Sequence, residues 1–317
     1  MTGQTFKVAH TATLLPYLLE IFPGQSRTSV KNLLSKGQVL VNGEGYTAFD
    51  HPLKAGDTLT ILPKGISIAR STRKDAREEV TKAGVKILFE DEHYLVVDKP
   101  SGMLTVATHK EKDTLYALLN TYVKVNARMQ RKEDLIAGRE PDRSTAKVWI
   151  VHRIDRGTSG VLVFAKDERA KDILQSKWKD LVVERKYVAW LEGSLEKERG
   201  AVQTWLLENP KSLKMTSFPS EVKDGQLAIT HYRVLSRSRH YTQVEFSLET
   251  GRKNQIRVHA AELGHPIAGD DKYGAETNPV KRLALHAATL VFRHPFTGKT
   301  VRCASPLPEC FERFLKY

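Results

Sequence analysis

In the stretch TATLLPYLLEIF, apolar residues recur at helical spacing through Leu14, Leu15, Leu18 and Leu19, which predicts an amphipathic helix. Pro16 fits a first turn and sets the start near Thr13. A second helix is expected from Thr28 or Ser29, both good N-cap residues, to Gly37. It would bury Val30, Leu33 and Leu34 and keep Arg27, Lys31 and Lys36 near its polar side. QVLVNG then alternates like a strand and ends in an Asn-Gly turn signal, and PLKAGDTLTIL supplies another turn and strand. These elements mark 1–64 as one compact unit. The polar, charged segment bounded by glycines that follows, 65–84, reads as an interdomain linker with some helical tendency in its middle.

From Val85 the pattern changes. VKILFEDEHYLVVDKPSGM holds two short β-type runs stopped by Lys-Pro and Ser-Gly, and GVLVFAK is apolar on both faces, as a central strand must be. ERAKDILQSKWKD spaces Ala170, Ile173, Leu174 and Trp178 helically. ERKYVAWLEG, YTQVEFSLET and LALHAATLVF add strands, and NQIRVHAAELG reads as a helix ending at Gly264. Strands outnumber helices and do not alternate with them strictly. The fold class expected for 85–317 is therefore α+β, with a large, mixed but mainly antiparallel sheet preceded by a small α/β domain.

Composition narrows the class of partner. The 317 residues carry 50 Lys/Arg against 37 Asp/Glu, a net charge of +13. That excess favours a polyanion, nucleic acid ahead of an anionic membrane surface. The excess is uneven. Residues 1–64 are nearly balanced, with six basic and four acidic, whereas 124–156 hold nine against five and include Gly138 and Pro141, so part of that segment is expected to be an exposed loop. No apolar run reaches the roughly 18–20 residues of a membrane span, and MTGQTFKVAH lacks the features of a signal peptide. Cys303 and Cys310 match no metal or redox spacing. A cytoplasmic, disulfide-free monomer is expected.

Three features could carry chemistry. In HRIDRGTSG, Asp155 stands between Arg153 and Arg156, a setting that favours a charged carboxylate, and the glycines beyond it signal a tight turn. Tyr187 brings an aromatic ring with a polar tip to a strand. ETGRKNQIRVHAAELGHPIAGDDKYG clusters Arg252, Gln255 and Arg257 ahead of glycine-rich turns. Neither GxGxxG nor GxxxxGK[ST] occurs, and His259 and His265 lack HExxH spacing, so neither a nucleotide cofactor nor a metal is expected.

In this order the blocks DKPSGM, HRIDRGTSGVLVFAK, ERKYVAWLEG, ETGRKNQIRVHAAELGHPIAGDDKYG and LALHAATLVFRHPFTGK resemble the RluA-type RNA pseudouridine synthases, over about Val85 to Phe314. QSRTSVKNLLSKGQVLVNGE resembles the S-four-like RNA-binding domain that precedes the catalytic domain in many members. The resemblance implies an isomerase that detaches uracil from its ribose, rotates it and rejoins it through carbon 5, with no cofactor. It implies Asp155 as the catalytic carboxylate, Arg257 as its partner and Tyr187 as the ring stacking on the target uracil. Arg153 would fill the space left by the base or hold its phosphate. Arg252 and Gln255 fall in the substrate-binding block, and Arg27 and Lys31 are the expected phosphate contacts of the small domain. One departure stands out: Asn254 occupies a position where the family commonly has histidine, keeping a hydrogen-bonding side chain that does not titrate near neutrality. Large-subunit ribosomal RNA is the expected substrate, with transfer RNA second. A non-catalytic RNA-binding or ribosome-assembly protein is the alternative. A glycosidase-like hydrolase is disfavoured, because those enzymes usually flank the bond with two carboxylates and no second acid stands out in the matched blocks.

Overall fold

The computed structural model of the chain describes residues 4–62, 73–109, 111–142 and 144–316. They divide into two compact units, one of 1–80 with 120–147 and one of 81–119 with 148–317.

The first unit opens with β1 (Gln4–Lys7) and β2 (Ala12–Thr13), followed by α1 (Leu14–Ile21) and α2 (Arg27–Ser35). As the spacing demands, Leu14, Leu15 and Leu18 are buried on α1, and Val30 and Leu34 on α2. The cap of α2 lies two residues before the expected pair. The Ser26 hydroxyl accepts from the Ser29 N–H at 3.1 Å, placing Thr28 and Ser29 inside the first turn. β3 (Val39–Val41) turns through Asn42 and Gly43, both at positive φ, into β4 (Glu44–Gly45), the backbone an Asn-Gly hairpin turn requires. β5 (Pro52–Leu53) pairs with β2, and β6 (Thr58–Ile61) lies between β1 and β3 in a four-stranded antiparallel sheet. Of the expected linker, 65–72 lie outside the described residues, while α3 (Arg73–Lys82) occupies most of the rest.

In the second unit, β7 (Lys86–Glu90) and β8 (Tyr94–Lys99) are the two runs read from the sequence. α4 (Leu115–Ile136), whose residues from Asn120 on belong to the first unit, was not anticipated. Thr114 caps it by accepting from the Ala117 N–H at 3.2 Å, and Leu115, Leu119, Tyr122 and Val123 are buried. Residues 124–136 of the basic segment therefore continue a helix, and the described residues around Gly138 and Pro141, 137–142 and 144–148, lie outside helix and strand. The apolar face that nucleates α4 lies upstream of the charges.

β9 (Trp149–Ile150), β10 (Ser159–Ala165), α5 (Glu168–Ser176), α6 (Trp178–Leu181) and β11 (Val182–Glu192) come next. β12 (Arg199–Glu208), β13 (Met215–Phe218), β14 (Gln226–Arg237) and β15 (Tyr241–Leu248) then precede α7 (Gln255–Glu262), β16 (Leu285–Arg293) and β17 (Thr300–Ala304). They build an eleven-stranded sheet in the order β13-β12-β14-β15-β11-β16-β10-β8-β7, with β17 on β16 and β9 on β10. Among the described strand pairings of this sheet only β10–β16 is parallel, so the α+β class with a mainly antiparallel sheet holds. Every residue of β10 is buried, as its unbroken apolar run requires. Among the described residues no helix is long and apolar enough to cross a membrane.

Candidate active site

The segment HRIDRGTSG forms no strand before Ser159. Its backbone is sewn instead to the loop after β8. The Thr105 hydroxyl donates to the Ile154 carbonyl at 2.8 Å and the Ser101 hydroxyl to that of Gly157 at 2.7 Å. The Arg156 carbonyl accepts from the Gly102 N–H at 2.8 Å, and Arg156 Nε donates back to the Gly102 carbonyl at 2.9 Å. The wholly buried Lys99 reaches three carbonyls, of Pro100, Met103 and Arg156, at 2.9, 2.8 and 3.3 Å. Burial and the nearby Arg282 push this ammonium down to about 7, against the opposing pull of Asp155 and Asp98. The DKPSGM block thus shapes the turn that presents Asp155.

Gly160 anchors that turn to the sheet. Its φ is +113°, and a Cβ there would lie 2.1 Å from the Ala287 carbonyl oxygen. Only glycine permits this approach of β10 to β16. Ala287 also pairs with Tyr187 on β11, where the register shifts between Lys186 and Tyr187. The extra residue there is Ala288 on β16, the strand that faces Tyr187. Gly160, Ala287 and Tyr187 therefore stand in one row across three strands. The Tyr187 hydroxyl makes no hydrogen bond among the described residues, and burial raises its pKa above the ordinary phenol value.

Arg257 comes from the first turn of α7. Its Nε and Nη2 donate to both oxygens of Asp270 at 2.7 and 2.6 Å, and its Nη1 donates to Asp155 Oδ2 at 3.3 Å. The Asp270 side chain is fully buried. Burial alone would lower the guanidinium's pKa, but the Asp270 and Asp155 carboxylates raise it overall. The Tyr273 ring adds a cation–π contact at 5.0 Å from Arg257 Cζ. α7 has little amphipathic character, because Gln255, Ile256, Val258, His259 and Ala260 are all buried, so the fold, not a polar stripe, sets Arg257's direction.

Asp155, Arg257, Tyr187, Arg153 and Arg252 line one cleft of about 390 Å³ together with Asn254. Arg153 is exposed at its rim with no hydrogen bond among the described residues. Arg252 donates from Nε to the Leu227 carbonyl at 2.9 Å. Gln255 also borders the cleft, but its amide is committed to the protein. It accepts from Thr250 Oγ1 and the Arg252 N–H and donates to the Ile229 carbonyl and Thr230 Oγ1, so all four of its hydrogen-bonding positions are taken. A wider groove of about 1270 Å³ shares Arg153, Tyr187 and Arg252 with the cleft and adds Trp178, Lys179 and Arg185. Arg27 and Lys31 lie on α2 in the first unit, where Lys31 Nζ stands 5.4 Å from the centroid of the exposed Phe49 ring.

The sequence reading left Lys99, Asp270 and Tyr273 out of the site, though each stands in a block it had marked. Nothing local separates Asp270 from Asp271, and only the fold buries the first and exposes the second.

A profile described as RNA pseudouridylate synthase matches residues 93–262. An uncharacterized RNA pseudouridine synthase, YlyB of Bacillus subtilis, is 35% identical over 285 residues, covering 90% of this chain and 86% of that protein. Ribosomal large subunit pseudouridine synthase D of Xanthomonas campestris is 33% identical over 313 residues, covering 94% and 86%. Among solved structures, human RNA pseudouridylate synthase domain containing 4 shares the fold, with a TM-score of 0.56 at 23% identity, over 77% of this chain and 95% of that one.

Proposed function

The chain belongs to the RNA pseudouridylate synthase family and is an isomerase of RNA uridine; from that premise we propose that Asp155 is its catalytic carboxylate, working on a uridine of large-subunit ribosomal RNA. The observation that carries the assignment is the hold on Asp155 Oδ2 by Arg257 and Asn254, in a cleft shared with Tyr187. In the reaction the N1–C1′ bond breaks, the uracil turns, carbon 5 bonds to C1′, carbon 5 loses its proton and N1 gains one. A charged carboxylate at the sugar–base junction suits this chemistry. Tyr187 stacks on the uracil. Its hydroxyl stays neutral at physiological pH, so it relays the carbon 5 proton by giving up its own to solvent, which returns one to N1. A base inside folded RNA must leave its stack to enter such a cleft. Arg153 at the rim takes the phosphate or the vacated space, and the groove along Trp178, Lys179 and Arg185 takes the flanking strand. Arg27 and Lys31 dock the remaining RNA through phosphates. The protein acts as a cytoplasmic monomer.

Relatives named for the large ribosomal subunit support ribosomal over transfer RNA, while the charge of +13 suits either polyanion. The test is tritium release from RNA labelled at uracil carbon 5, taken from cells lacking the protein. Release from ribosomal but not transfer RNA, abolished by Asp155→Ala with RNA binding retained, is expected. Turnover by that variant would remove Asp155 from the mechanism, and release from transfer RNA alone would change the substrate.

A further inference from the structure

Both donors that hold Asp155 converge on one oxygen. Asn254 Nδ2 donates to Oδ2 at 2.6 Å and Arg257 Nη1 to the same atom at 3.3 Å, while Oδ1 accepts no hydrogen bond among the described residues. Asn254 is itself held in a fixed sense. Its Oδ1 accepts from the Tyr273 hydroxyl at 3.1 Å, and that hydroxyl accepts from the Met215 N–H at 3.1 Å. The Asp155 carboxylate can only accept, so the amide turns Nδ2 to it and Oδ1 to the Tyr273 hydroxyl. Asn254 also stands at the head of α7 with φ +53° and makes no capping bond with its side chain. Asparagine tolerates this left-handed backbone better than most residues. Its amide serves Asp155 instead of the helix end.

We infer that Asn254 is a positioning residue for the isomerisation: with Tyr273 it pins Asp155 Oδ2 by a neutral donor, leaving Oδ1 as the oxygen that meets the uridine. The inference rests on the catalytic role proposed for Asp155. The charged and titratable groups around Asn254 are Asp155, Arg257, Asp270 and Tyr273. Beyond them stand Lys253, paired with Glu208, Lys214 over the Tyr273 ring at 5.2 Å, and Lys272. A second carboxylate introduced here would repel Asp155 and take up a proton more readily. Once protonated it would donate as the amide does.

The experiment is single-turnover tritium release at saturating enzyme, on carbon 5-labelled RNA from cells lacking the protein, for wild type, Asn254→Gly, Asn254→Asp, Tyr273→Phe and Asp155→Asn. Asn254→Gly keeps the backbone unstrained. It should lose about 10- to 100-fold in rate, the span of one hydrogen bond to a charged group, with RNA affinity within threefold and the melting temperature little changed. Tyr273→Phe, which keeps the ring over Arg257, should lose less. Asn254→Asp should be slowest at pH 8 and recover at least tenfold relative to wild type by pH 5.5, a rise that a merely structural role would not produce. A loss under fivefold in Asn254→Gly, or a pH-independent ratio for Asn254→Asp, overturns the inference. Asp155→Asn separates the two readings: full turnover there defeats the role of Asp155, whereas its inactivity beside an unimpaired Asn254→Gly defeats only that of Asn254.

Discussion

At the scale of single residues, the buried Asp270 fork decides where Arg257 points. Removing one partner of a buried, hydrogen-bonded ion pair costs about 3–5 kcal/mol, because the other charge is left without compensation. Asp270→Ala should lower the unfolding free energy by roughly that amount, read from urea midpoints. It should also cut single-turnover rate far more than RNA affinity, since Arg257 would lose its aim at Asp155. An unchanged midpoint would show that water replaces the carboxylate. Asp155, Arg257 and Tyr187, each expected from a block whose order is distinctive, line one cleft. Asp270, Tyr273 and Lys99 were not legible in the sequence, because their importance lies in partners 13, 19 and 57 positions away.

Two elements carry consequences beyond their own residues. Gly160→Ala would drive a methyl into the Ala287 carbonyl and force a left-handed φ on alanine. We expect an insoluble or grossly destabilised protein, checked by soluble yield and far-UV circular dichroism. Native yield would mean that β10 and β16 can part without loss of the fold. On α7, His259 lies between Thr204 and Thr230, and burial pushes it down to about 4. The unfolded chain therefore binds more protons than the native one between about pH 4 and 6.5. The sign is that this stability is fully present above pH 6.5 and is lost as pH falls. From pH 7 to 5 the loss from His259 is about 2 kcal/mol. His152, pushed down to about 3 by burial and then by Arg185, acts in the same direction. Urea midpoints at the two pH values should differ less in His259→Gln than in wild type; an equal difference would exclude His259 as a source of the acid sensitivity.

For the whole molecule, the net charge of +13 makes RNA binding salt-dependent. Each phosphate contact steepens the salt dependence of binding by about one counterion. Arg27→Ala with Lys31→Ala should reduce the slope of log affinity against log salt by about 1–2, without altering single-turnover rate at saturation. An unchanged slope would take α2 off the RNA. Point substitutions test this better than deleting 1–64, because the first compact unit also includes 120–147.

Periodicity, turn residues and the ordered blocks by themselves determined the fold class, most strands and helices and the family. These depend on local propensity and on which residues can sit side by side in the chain. What only tertiary structure decided is which atoms meet. It ran a helix through 124–136 and spent the Gln255 amide on the scaffold. It also turned Asn254 from a departure in a motif into a second donor on Asp155. Hydrogen-bond partners are chosen by distance in three dimensions, and a distance of 2.6 Å across 99 positions of chain leaves no local trace in the sequence.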